Sequence, residues 1–168
     1  MQNAEAPFYG VAASNRGNLV LPYATVVLDF MVNARTESAY FQCPSGLHYP
    51  CGISPWGYYN VNWMHIHACG SFAALPLVWH WESTRNASFL TESTIATEDK
   101  TATPYALFKG LSDWWVCHLK KEMLPGASGG YIFSDLDDCA EEDTNCEWER
   151  QIADQVWHIV CIANCSCD

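Results

Sequence analysis

VNWMHIHACGSFAALPLVW, residues 61–79, decides the class of fold. Val61, Met64, Ala68, Phe72, Leu75 and Trp79 follow one another at intervals of three, four, four, three and four residues. An α-helix turns once in about 3.6 residues, so this spacing gathers one apolar face. Pro76 interrupts the run. It lacks an N–H and its ring meets the preceding turn, so it is expected to kink or divide the helix.

The same period recurs on both sides. In PYATVVLDFMVNA (22–34), Val26, Val27, Phe30, Met31 and Ala34 form a stripe at helical spacing, with Pro22 suited to a first turn. The β-branched run Thr25-Val26-Val27 leaves a strand open there. Residues 43–59 are rich in Gly, Pro and Ser and read as loop. A short helix is expected around Ala87 to Thr91. PYALFKGLSDWWVCHLKK (104–121) carries Phe108, Leu111, Trp115 and Leu119 on one face, with Lys120 and Lys121 where the helix dipole favours cations. Thr144-Asn145-Cys146-Glu147 fits a capping box before a stripe of Trp148, Ile152, Val156, Ile159 and Ala163. Strand signal is slight. The expected class is all-α, as stacked helical hairpins, in a single domain over residues 1–168.

Composition bounds the function. Hydrophobic residues make up 49% of the 168 and charged residues 16%, which argues against disorder. The net charge of −11 and the lack of a basic stripe exclude a nucleic-acid partner. No apolar run reaches the roughly 18 residues of a membrane span, and MQNAEAPFYG does not read as a signal peptide. Eight Trp, eight Tyr and seven Phe fill a core or line a site for a flat, partly apolar ligand such as a sugar ring. The nine cysteines include no CxxC pair: in a secreted chain one thiol is left over, and in an intracellular one most are small buried apolar residues. The sequons Asn86-Ala87-Ser88 and Asn164-Cys165-Ser166 matter only in a secretory compartment, so localisation stays open.

Asn60 and Asn62 stand among Trp56, Tyr58, Tyr59 and Trp63. In a helix, residues two apart point about 200° apart; in an extended segment they face the same way. On an extended lead-in to the helix the two amides would therefore project together beside Trp56 and Tyr58, able to hold a water or sugar hydroxyls without charge. The plainer reading makes Asn62 an N-cap, with Asn60 stabilising the turn before it.

PWGYYNVN (55–62) resembles the Trp-x-x-Tyr/His-x-Asn-x-Asn segment of glycoside hydrolase family 95, the inverting α-L-fucosidases and related α-L-galactosidases. FYGVAASNRGNLVLP (8–22) is similar to that family's Phe-x-Tyr-Gly, Ser-x-Arg-Gly and Leu-Pro stretch, and ALFKGLSDWWVCHL (106–119) to its helix with a Lys-Gly step followed by aromatics. The resemblance implies an (α/α)6 toroid of six helical hairpins, of which this chain would supply part. It implies action on terminal α-L-fucose or a related sugar, without a cofactor or a metal. Asn60 and Asn62 would position the attacking water, and Glu141, in SDLDDCAEED (134–143), would be the general acid with Glu142 as runner-up. Trp56, Tyr58, Trp63 and His65 would bind the sugar. Crowded carboxylates raise one another's pKa, which suits an acid that holds its proton near neutrality; the plainer reading is a solvated acidic loop. The family's late aspartate would fall beyond Asp168, so the chain is expected to be a piece of a larger barrel. Helix faces that a full ring would cover are then expected to drive self-association. A carbohydrate-binding module without hydrolysis, or a helical remnant needing a partner chain, are the alternatives.

Other constellations carry less. His158, Cys161, Cys165 and Cys167 lie close together near the C-terminus, but not at the intervals of a common zinc ribbon. His67 alternates with His65 beside the asparagines, and His48, His80 and His118 show no pattern.

Overall fold

The computed structural model describes residues 5–54, 56–59, 67–92 and 99–121. Asn60, Asn62, Trp63, His65, Glu141, Glu142, the capped helix expected from Thr144 and the cluster from His158 to Cys167 lie outside the described residues.

Two 3₁₀ turns, Ala6–Phe8 and Gly17–Leu19, lead into α1 (Val20–Asp29) and α2 (Met31–Tyr40). A long connection reaches α3 (Cys69–Thr84), followed by the short α4 (Ala87–Thr91) and by α5 (Pro104–Lys121). The only pairing of extended backbone among the described residues is an isolated antiparallel bridge, Ile53 to Tyr59. The described fold is therefore all-α, as the helical periodicity predicts.

Pro22 is the third residue of α1, where a helix has no intrahelical partner for its N–H in any case. The stripe over 22–34 does not make one helix. The axis bends by 43° between α1 and α2. No Pro or Gly stands between Val26 and Ala34 to force the bend. Its effect is to turn Phe30 into the core, against Tyr49 at a ring separation of 5.5 Å and Tyr59 at 6.3 Å. Val27, Phe30, Met31 and Ala34 of the stripe are buried, and Val26 is half-buried.

Pro76 does not divide α3: the helix runs unbroken from Cys69 to Thr84. Tertiary contacts support the turn that the proline weakens. The Tyr23 hydroxyl on α1 donates to the Ala73 carbonyl at 2.9 Å, and the Pro76 ring is itself buried. The stripe predicted for this helix is too narrow a description. Phe72 and Trp79 are only half-buried, while Ala73, Ala74, Leu77, Val78 and Trp81, on other faces, enter the core. A helix with apolar residues all round is a central one. α3 packs against both α1 and α5. Ala24, Val27 and Leu28 of α1 meet this core from one side and Leu107, Phe108 and Leu111 of α5 join it.

The Gly/Pro/Ser-rich connection is a loop, as read, but residues 46–50 are buried, whereas most connecting segments run over the surface. Its backbone finds partners on two helices: Leu47 N–H donates to the Gly110 carbonyl of α5 at 2.8 Å, and His48 N–H to the Ala34 carbonyl of α2 at 3.0 Å. The approach is so close that a Cβ on Gly46 would meet the backbone and Cβ of Trp114 at 2.5 Å. The Tyr49 hydroxyl donates to the Val27 carbonyl at 2.8 Å. Two disulfides fasten the same loop, Cys43 to Cys117 on α5 and Cys51 to Cys69 at the start of α3, with Cα separations of 5.8 and 5.0 Å.

Among the described residues no single helix is long and apolar enough to cross a membrane. The bent pair of segments Gly17–Asp29 and Met31–Tyr40 passes such a test only when taken together. Its apolar residues Ala24, Val27, Leu28, Phe30, Met31 and Ala34 are those of the core.

Candidate functional site

Of the residues singled out for sugar binding, the described structure holds Trp56 and Tyr58, and it places them on one tight turn. The turn is closed by its own backbone. Ser54 N–H donates to the Tyr58 carbonyl at 2.9 Å, and Gly57 N–H to the Ser54 carbonyl at 3.1 Å. The Ser54 hydroxyl accepts from Tyr58 N–H at 3.2 Å. Gly57 sits at φ +80°, a conformation that costs side-chain-bearing residues about 1 kcal/mol or more. From α2, the Asn33 amide donates to the Gly57 carbonyl at 3.1 Å, so the turn is tied to a helix as well as to itself.

The neighbouring side chains divide by direction. Tyr59 packs inward on Phe30, and its hydroxyl donates to the Glu37 carboxylate. That hydrogen bond, with burial adding to it, raises the phenol pKa. Trp56 and Tyr58 point the other way, 83% and 79% exposed. Large aromatic rings are normally buried, because each carries apolar surface whose removal from water is worth about 25 cal/mol per Å². Two of them left in solvent on a braced turn expose apolar ring surface, with the phenol hydroxyl as a polar group beside it. Tyr59, through its bridge to Ile53, is also extended, so the backbone is extended up to the residue before Asn60.

A concave site, absent from the sequence reading, lies at the N-terminal end. A cleft of about 430 Å³ opens between the segment 8–20 and the outer face of α3, with Phe8, Tyr9, Val20, Trp79, His80 and Ser83 in its lining. Its volume is in the range of small-ligand pockets. Tyr9 meets Trp79 edge-on at 5.4 Å. Burial lowers the His80 pKa against the opposing effect of the Gly17 backbone beside it.

The histidines also form a pattern that spacing conceals. His48 from the loop and His67 before α3 are buried, with Nε2 of one 3.1 Å from Nδ1 of the other. His118 of α5 lies 4.7 Å from the His67 ring and stacks on Trp114 at 4.6 Å and 14°. His67 thus groups with His48 and His118, while His65, with which it alternates in the sequence, lies outside the described residues. His48 and His118 are 19 and 51 positions from His67 in the chain, so only the fold brings them together. Among the described residues, no group of three His, Cys, Asp or Glu side chains has the geometry to hold a metal ion.

Comparison of the chain with protein-family models, with curated proteins and with solved structures found no match.

Proposed function

We propose that this protein binds carbohydrate, with Trp56 and Tyr58 stacking on a terminal sugar of the α-L-fucose type. The observation that carries the reading is the pair of exposed rings on a turn pinned by Gly57, Ser54 and Asn33. A platform held before the ligand arrives loses little conformational freedom on binding. Neutral amides, hydroxyls and aromatic faces suit an uncharged polyol, and the net charge of −11 disfavours anionic ligands. The resemblance around residues 55–62 supplies the sugar class.

The test is a titration of the whole chain with α-L-fucosyl-terminated oligosaccharides, followed by tryptophan fluorescence. Saturable quenching is expected. Trp56→Ala should weaken binding by about tenfold, roughly 1.4 kcal/mol, with unchanged circular dichroism. Equal affinity in the wild-type chain and in Trp56→Ala, Tyr58→Ala would refute the reading.

Hydrolysis of the bound sugar is a second reading, favoured by the extended backbone at Tyr59 that leads toward Asn60. In it Glu141 donates the proton and Asn60 and Asn62 hold the water, the two sets facing each other across the sugar. Release of phenol from an aryl α-L-fucoside, lost in Glu141→Gln, is the expected result; no turnover by the wild-type chain leaves binding alone. Self-association belongs to the same proposal and draws on Val32 and Tyr40, 55% and 68% exposed on α2. Sedimentation velocity should show a concentration-dependent dimer that Val32→Lys, Tyr40→Lys abolishes, whereas a monomer at every concentration would remove the idea.

A further inference from the structure

We propose that Asn86 is a site of N-linked glycosylation, and hence that the protein folds in a secretory compartment. The sequon Asn86-Ala87-Ser88 by itself says little, since such triplets occur by chance. Two independent features of the fold give it meaning.

The first is its setting. α3 stops at Arg85, which takes a left-handed conformation at φ +51° with its guanidinium 4.8 Å over the Trp81 ring. The chain then leaves the core. Residues 82–87 are all exposed, and Asn86 stands in an extended conformation between two helices. Its Oδ1 accepts the Ser88 N–H at 3.1 Å, capping α4, and this occupies the amide oxygen rather than Nδ2. The Ser88 hydroxyl is directed to Glu92 at 3.0 Å on the same surface. A glycan on Nδ2 therefore displaces no packed side chain.

The second is the pair of disulfides, Cys43–Cys117 and Cys51–Cys69, which bind the buried loop to α5 and α3. Disulfides persist in oxidising compartments and are rare in the cytosol. The secretory lumen is also where asparagine glycosylation takes place. There the Asn86 amide nitrogen attacks C1 of a lipid-pyrophosphate-linked oligosaccharide. The C1–Nδ2 bond forms, the C1–O bond to pyrophosphate breaks, the amide gives up one proton, and no redox change occurs. The inference does not depend on the sugar-binding proposal.

The experiment uses the chain from its own source, digested without reduction and treated with peptide N-glycosidase in heavy-oxygen water. Position 86 should be recovered as heavy-oxygen aspartate in most copies, alongside a Cys43–Cys117 cross-linked peptide. Peptide mapping keeps this site apart from Asn164. In secreted recombinant chain, Ser88→Ala should abolish modification at position 86 and Ser88→Thr should retain it. Both keep the backbone N–H that Asn86 caps, so folding is not the variable. An unmodified Asn86 in disulfide-linked chain, or recovery of Cys43, Cys51, Cys69 and Cys117 as free thiols, would overturn the proposal.

Discussion

Gly57 combines a φ of +80° with a close neighbour, since an added Cβ would stand 2.5 Å from the Asn33 amide nitrogen and push that side chain aside. Gly57→Ala should therefore destabilise the fold by about 1 kcal/mol or more and also weaken sugar binding, because the turn that displays Trp56 would reopen. Chemical denaturation and the fluorescence titration read the two effects separately. Trp56→Ala, by contrast, removes a ring that touches little and should leave stability within about 0.5 kcal/mol. His80 makes a prediction with a sign. Burial holds its folded-state pKa below the ordinary value of 6.5, so the folded protein resists protonation more than the unfolded chain does. Its contribution to stability is intact above pH 6.5 and is lost as pH falls from there through the folded-state pKa. The urea midpoint should drop less between pH 7.5 and pH 5 in His80→Gln than in wild type; parallel profiles would show that the imidazole is not held neutral.

Helix α3 is the element on which the others rest. It is buried nearly all round, and a truncation in its middle leaves a hole that α1 and α5 cannot both close. Leu77→Ala, at a fully buried position, should cost about 2–5 kcal/mol by thermal or urea unfolding. Val32→Lys, on the solvent side of α2, should cost less than about 0.5 kcal/mol. The same centrality explains why Pro76 is tolerated. In an isolated helix the missing N–H would break the ladder at a cost of about 3 kcal/mol, but here the helix is held from both sides and the Tyr23 hydroxyl reaches the adjoining turn. Periodicity finds such a helix yet misjudges its width, because the stripe positions that fall inside α3, Phe72, Leu75 and Trp79, fit a single apolar face as well as they fit a helix apolar on every side.

Across the whole molecule, the loop between α2 and α3 is the device that joins distant parts. Cys43–Cys117 closes a sequence separation of 74 residues and Cys51–Cys69 one of 18. In the chain-entropy view these contribute about 4 and about 3 kcal/mol. Reduction should lower the melting temperature markedly, and Cys43→Ser should lower it more than Cys51→Ser; calorimetry of the two variants checks the order. Cys43→Ser should also loosen the layer in which His48, His67 and His118 surround Trp114, since Cys43 and Cys117 flank it.

The helices around 87–91 and over 104–121 are legible in the sequence, the second because its 3.6-residue apolar period is a local signal that neighbours do not overrule. The Gly, Pro and Ser content of 43–59 likewise marks a segment without regular helix or strand, whereas Trp56 and Tyr58 are singled out through the resemblance of residues 55–62. What local chemistry left open was every relation across the chain. That residues 46–50 of the loop are interior, that three histidines converge, that Cys43 finds Cys117, and that Phe8, Trp79 and His80 share a cleft all depend on which faces meet when the helices pack. Apolar surface in a sequence says that burial will occur, but the hydrophobic effect has no direction, and only the assembled core selects the partner.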